Sequence, residues 1–182
     1  MGYEIAVNLA WDVLRDKGFG KERMSFLGME LAVDAGERKI EVVSGEMTLK
    51  DYHEVLVLHY LEQEGKVGDI SEDKWVSFKE LPGGEIYFPA FHKRAVAPLL
   101  RKFGSNVEGL LPATARLGGE RIEFGTVAVA VKPLEKIRVG IVLWEEDDEF
   151  PPECNILFNQ QVRDILPTED IAVLAGMIAW SI

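Results

Sequence analysis

The chain has 182 residues, 47% of them hydrophobic, which suits one packed domain and excludes a disordered or fibrous chain. Its 20 Lys and Arg against 31 Asp and Glu leave a net charge of −11, so a phosphate backbone or an anionic membrane surface would repel it. A single cysteine excludes an internal disulfide, a Cys-ligated zinc site and a four-thiolate iron–sulfur cluster.

The opening Met1-Gly2-Tyr3-Glu4-Ile5-Ala6 has no basic segment leading into an apolar one, and Ala6 stands where an acylation motif needs Ser or Thr. The longest charge-free apolar run, Ile171 to Ile182, is too short to cross a bilayer. The expected location is the cytoplasm. Tyr3, Val7, Ala10, Trp11 and Leu14 fall on one helical stripe, which predicts an amphipathic helix to Asp16 with Gly18 just past its end. Alternation at Met29, Leu31 and Val33, the turn Asp34-Ala35-Gly36-Glu37, and then Ile40 and Val42 predict a hairpin. Thr48, with Asp51 three residues on, predicts a capped helix to Glu64. That helix is apolar almost all round, so it should be buried as the central helix.

A polar connection over Lys66 to Lys74 leads to a short strand at Trp75 to Phe78 and a turn at Leu81-Pro82-Gly83-Gly84. A second amphipathic helix is predicted from Ala90 to Phe103, with Val96, Leu99, Leu100 and Phe103 inward and Arg94, Arg101 and Lys102 outward. A shorter helix should follow within Ser105 to Arg116. Arg121 to Val131, the turn Lys132-Pro133-Leu134-Glu135, and Lys136 to Trp144 form the strongest hairpin. Its Val127, Ala128, Val129, Ala130, Val131 run is apolar on both faces, as in a strand covered on both sides. A further strand over Asn155 to Asn159 and a helix capped by Thr168 complete the chain. The predicted fold is a single α+β domain, with an antiparallel or mixed sheet, a buried central helix and further packing helices.

Few residues carry chemistry by pattern alone. Gly18-Phe19-Gly20-Lys21-Glu22-Arg23 imitates a dinucleotide-binding loop, but Arg23 replaces the third glycine and the segment follows a helix rather than a strand. Cys154 sits beside Glu153 and an acidic run that should raise its pKa, so an inert thiol is expected. His53 and His59 lie six residues apart, roughly 9 Å along a helix axis, too far to chelate one metal as an i, i+4 pair does. Both, with His92, are expected to be satisfied, partly buried histidines. Glu145 to Glu149 lacks the alternation and central glycine of a calcium loop and reads as a solvated turn, stiffened by Phe150-Pro151-Pro152. No metal site is expected.

Several stretches together carry a resemblance. They are Tyr52-His53-Glu54 through Leu58-His59-Tyr60-Leu61, Trp75 with Ser77-Phe78-Lys79-Glu80-Leu81-Pro82-Gly83-Gly84, and Leu117-Gly118-Gly119. Trp144, Asp148-Glu149-Phe150-Pro151-Pro152 and Ile156-Leu157-Phe158-Asn159 continue it. Across roughly residues 48–175 the chain resembles an uncharacterised family of domains of unknown function from anaerobic bacteria and archaea. Some longer members of that family add a four-iron–four-sulfur domain. The resemblance implies an accessory or cofactor-handling role in anaerobic metabolism. Because the cluster-binding cysteines are missing here, any redox role would run through a separate partner protein.

The leading functional expectation is a binding or accessory module for a tetrapyrrole, a corrinoid or a redox partner. A small metal-assisted or histidine-dependent enzyme and a structural or interaction protein are the alternatives. The expected ligand site is a cleft bordered by Trp144, Asp148, Glu149, Asn159 and His59, because Ala128 and Ala130 leave room above the sheet where the acidic loop begins. Ala175, Gly176 and Ala179 would let the apolar C-terminal helix pair closely with a second copy, which predicts a homodimer.

Overall fold

The computed structural model describes residues 2–46, 48–68, 70 and 74–182. Part of the connection expected over Lys66 to Lys74 lies outside these residues. Helix α1 (Gly2–Asp16) buries Ala10, Trp11 and Leu14 and ends at Gly18, whose φ of 74° is the left-handed conformation of a helix stop. Strands β1 (Lys21–Phe26), β2 (Met29–Asp34) and β3 (Lys39–Ser44) form a three-stranded antiparallel sheet. Leu27 and Gly28, both at positive φ, make the tight β1–β2 turn whose twist suits a two-residue hairpin. In the β2–β3 turn, Asp34 Oδ1 accepts the Gly36 and Glu37 N–H groups, as the Asp-Ala-Gly-Glu sequence predicts.

Helix α2 (Asp51–Gln63) buries Val55, Leu56, Val57, Leu58, Tyr60 and Leu61, as a helix apolar all round must. It starts after Lys50 rather than at Thr48. The His53 ring does the work assigned to Asp51, accepting the Lys50 N–H on Nδ1 at 3.0 Å. Strand β4 (Trp75–Ser77) leads through a 3₁₀ turn to helix α3 (Gly84–Phe91), a π-helical turn over His92–Val96, and helix α4 (Ala97–Phe103). Short helices α5 (Leu110–Ala113) and α6 (Val162–Ile165) flank the second sheet in sequence. That sheet comprises β5 (Glu120–Ile122), β6 (Val127–Leu134), β7 (Ile137–Trp144) and β8 (Glu153–Asn159) with β4, in the order β4-β8-β7-β6-β5, all antiparallel. Helix α7 (Thr168–Ser181) closes the chain.

The α+β class follows from these elements. Two sheets stand where one was expected to carry both hairpins. They are joined where the Leu27 N–H bonds the Pro133 carbonyl at 2.8 Å. The predicted hairpin turn moves as well. A bulge between Val131 and Leu134 lets Lys132 and Pro133 stay within β6, and the chain reverses at Glu135 and Lys136.

The helix predicted to begin at Ala90 begins six residues earlier and changes phase midway. Pro98 has no N–H to give the Arg94 carbonyl four residues back, so the regular ladder is interrupted there. The turn before it widens, with the Ala97 N–H bonding the His92 carbonyl five residues back. One added residue rotates everything upstream by about 100° relative to a uniform helix. His92, placed inward by uniform spacing, is therefore exposed. Arg94 is exposed, as its outer-face placement predicts, and its backbone lies against α7, where an added Cβ on Gly176 would lie 3.6 Å from the Arg94 carbonyl oxygen.

Helix α7 packs against this kinked helix, with Ala175, Gly176 and Ala179 buried inside the chain itself. The small residues that suggested close pairing with a second copy already serve an intramolecular contact. No helix among the described residues is long and apolar enough to cross a membrane.

Candidate functional site

The five residues expected to share a cleft are not brought together. Trp144 pairs with Glu153 at one end of the β7–β8 ladder. Asn159 lies six residues along β8 from Glu153, roughly 20 Å away at strand rise. There Asn159 is buried, its Oδ1 accepting the Arg138 N–H at 2.8 Å while its amide donates to the Lys136 carbonyl. It is a clamp on the β6–β7 turn. Tyr60 Oη accepts the Lys136 N–H, so the end of α2 that carries His59 lies at the Asn159 end of the sheet, away from Trp144 and Asp148. The space expected above Ala128 and Ala130 is filled. Gly140 lies opposite Ala130, and a Cβ there would meet Ile122 at 3.2 Å and Trp75 at 3.3 Å.

The acidic loop is ordered by its own residues. Asp147 Oδ1 accepts the Glu149 and Phe150 N–H groups, and Asp148 and Glu149 point into solvent. Among the described residues no three His, Cys, Asp or Glu side chains converge to hold a metal ion. Burial, rather than the acidic neighbours, pushes the Cys154 thiol up to about 12. His59 gives Nδ1 to Asp170 Oδ2 of α7 at 2.5 Å, and this carboxylate holds the imidazole pKa above its ordinary value against the opposing effect of burial.

A cavity of about 920 Å³ opens elsewhere, between α7, the start of α2, the start of α1 and the π turn. Its floor is one face of α7. Ala172, Val173, Gly176, Met177, Trp180 and Ser181 recur at i, i+1, i+4, i+5, i+8 and i+9, which places them in two adjacent rows. Ala172 and Gly176 keep the floor low, while Trp180, 75% exposed, and Tyr3, 50% exposed, stand at its rim.

Three cationic side chains line this groove: Lys50 beside α2, Arg94 on the π turn, and Arg116 on the turn after α5. None of the three forms an ion pair with a carboxylate among the described residues, and the Lys50 ammonium lies 5.9 Å from the centroid of the Tyr52 ring. Glu46 is the one acidic side chain on the lining and pairs with none of them. Arg116 also donates to the Ser181 carbonyl at 3.0 Å, which satisfies an open carbonyl at the C-terminus of α7. In a chain of net charge −11, three cations around one apolar floor concentrate positive potential there.

His53 lines the same groove and is 4% exposed. Burial, then the Lys50 charge, holds its pKa below the ordinary histidine value, so the ring is neutral near pH 7. Because Nδ1 accepts the Lys50 N–H, the proton of the neutral ring resides on Nε2. The groove thus offers cations, one neutral N–H donor and an apolar bed, the mixture expected of a site for an organic anion.

Sequence reasoning missed this site. It placed Arg94 on the solvent face, where it is exposed, but nothing in the sequence set that face beside α7, and Lys50 and Arg116 lie in connections without a motif. Pro98, four residues after Arg94, was the available signal for a change of helix phase.

Fold and groove together define an α+β domain whose C-terminal helix floors a cation-lined cavity. The chain matches a domain of unknown function, DUF3786, over residues 4–180, and it belongs to that family. The match reaches well beyond the stretch around 48–175 that carries the resemblance in sequence, and takes in α1 and most of α7, two walls of the groove. No curated protein matches the chain, and no solved structure does.

Proposed function

We propose that this chain is a binding module that holds an organic anion with an apolar body in the groove over α7. The observation that carries the reading is that Lys50, Arg94 and Arg116, free of carboxylate partners among the described residues, line one groove floored by Val173 and Met177 and rimmed by Trp180. Charge supplies attraction and orientation, and the floor supplies burial at about 25 cal/mol per Å² of apolar surface removed from water. Anilinonaphthalene sulfonate, an apolar ring system with one anionic group, is a direct probe. Its fluorescence should report saturable binding that weakens about tenfold or more when Lys50→Gln and Arg94→Gln are combined. A neutral naphthylamine should bind both proteins equally. Absence of saturable binding, or equal affinity for the sulfonate in the double variant, would overturn the reading.

The resemblance to a family of anaerobic bacteria and archaea supports a finer version. An acid-bearing cofactor, passed between proteins of anaerobic metabolism, has the chemistry that such a groove accepts. A carboxylated tetrapyrrole or a corrinoid added to the protein should then shift its thermal midpoint, and Lys50→Gln with Arg94→Gln should abolish the shift. A histidine-dependent reaction is the second reading, favoured by the His59–Asp170 pair, in which a carboxylate fixes one ring nitrogen as in many catalytic histidines. Hydrolytic activity lost in His59→Gln while sulfonate binding persists would favour it.

A further inference from the structure

Two arginines line the groove from different elements, and their number carries the reading one step further. The Arg94 backbone lies beside Gly176, its carbonyl oxygen 3.6 Å from an ideal Cβ position there, and its side chain is exposed. Arg116 is anchored at the last turn, its guanidinium bonded to the Ser181 carbonyl. Along α7 the Arg94 backbone and the Arg116 guanidinium are therefore five residues apart, roughly 7.5 Å at 1.5 Å per residue, and the Arg94 side chain extends from its own level. Between them the floor presents Met177 and Trp180, which offer no charge. A ligand with one anionic group can satisfy one of the two guanidinium groups and leaves the other unpaired over an apolar surface.

We propose that the groove selects a dianion: a ligand whose two acid groups are held apart by an apolar spacer, one on Arg94 and the other on Arg116, with the spacer lying along Met177 and Trp180. This rests on the reading of the groove as the binding site and adds the number and spacing of the ligand's charges. A planar guanidinium binds a carboxylate through two parallel N–H donors, so each end would be oriented as well as attracted. Arg116 keeps donors for this purpose, because its bond to Ser181 uses one of five N–H groups. Arg94 sits on a π turn fixed by Pro98 and by its contact with Gly176, so its backbone is positioned before any ligand arrives.

Displacement of bound anilinonaphthalene sulfonate by straight-chain α,ω-dicarboxylates, from butanedioate to dodecanedioate, tests this against monocarboxylates of equal length. The expected result is an optimum at one intermediate chain length, with the best diacid competing about tenfold better than its monoacid. That advantage should fall to within about twofold in Arg94→Gln and, separately, in Arg116→Gln, while the monoacid changes little in one of the two variants. Circular dichroism and the thermal midpoint establish that each variant folds. Equal competition by diacid and monoacid, or a diacid advantage that survives both substitutions, overturns the dianion proposal and leaves the binding site standing. If the sulfonate itself does not bind, both fall together.

Discussion

Gly84→Ala is the sharpest probe of how the groove is held in place, because two effects of opposite sign meet at one atom. Gly84 opens α3, and alanine is the better helix former by about 1 kcal/mol in a helix interior, less at a first position. Against this, a Cβ at Gly84 would lie 1.9 Å from the Phe78 carbonyl oxygen, 3.0 Å from its carbon and 3.2 Å from the Lys79 Cα. All three contacts are backbone, so no side-chain rotation relieves them. Restoring ordinary contact moves α3 or the Phe78 turn by more than 1 Å, and Phe78 is stacked on Phe91 with centroids 3.9 Å apart. Overpacking of this kind costs about 1–3 kcal/mol, and forced backbone movement belongs at its upper end. The clash wins. The net expectation is destabilisation by about 2 kcal/mol, which for a chain of this size lowers the thermal midpoint by about 4–8 °C. Gly65→Ala is the matched control: nothing lies within 4 Å of its added Cβ and its φ is not positive, so it should be neutral or stabilising by up to about 1 kcal/mol. Differential scanning calorimetry of both variants reads the comparison. Gly84→Ala melting within about 1 °C of wild type would refute the packing argument, since about 2 kcal/mol cannot hide in that interval.

Three further outcomes are expected. The His59–Asp170 pair raises the folded-state pKa of the imidazole above the 6.5 of an unperturbed ring, so its stabilisation is full below that value and is lost as pH rises through the raised pKa. Urea midpoints should therefore show wild type exceeding His59→Gln by more at about pH 5.5 than at about pH 9, and an equal difference at both would contradict the linkage. His53 has the opposite sign: its folded pKa is lowered, so the unfolded chain binds the extra proton first and stability falls as pH drops below 6.5. His53→Gln should flatten that acid limb, and nitrogen NMR of wild type near neutral pH should find the proton on Nε2; a protonated ring there would be contrary. Cys154, with its thiol pushed up to about 12, should resist an aromatic disulfide reagent in the native protein and react once the chain is unfolded in urea, whereas rapid native labelling would show that it is accessible.

What the sequence disclosed was local, and what it concealed was phase and distance. The Val-Ala alternation of β6, the Asp34 turn and the all-round apolarity of α2 announce themselves because each is set by residues within a few positions of one another. The cap of α2 was misassigned for a reason visible only in three dimensions, since an imidazole can accept the N–H that a carboxylate normally takes. The expected cleft failed on register: Trp144 and Asn159 close opposite ends of one antiparallel ladder, a separation fixed by which residues pair across β7 and β8. Ala128 and Ala130 did signal a low place on the sheet. The long side chains of Ile122 and Trp75 occupy it from neighbouring strands, and no pattern within β6 records them.

The groove shows the same dependence in its strongest form. Its cations come from positions 50, 94 and 116 and its floor from 172–181, so no window of sequence contains the site. One residue decides whether Arg94 belongs to it. Without the interruption imposed by Pro98, uniform helix spacing would carry Arg94 about 100° around the axis from the direction set by Leu99 and Phe103. The Arg94 backbone rests beside Gly176 of α7, at ordinary contact distance from where a Cβ there would lie. The change of helix phase at Pro98 is thus what sets the direction from which Arg94 reaches the groove. Replacing Pro98 with alanine permits the regular helix and should weaken sulfonate binding while retaining every charge, an effect that a site built from exposed charges alone would not show.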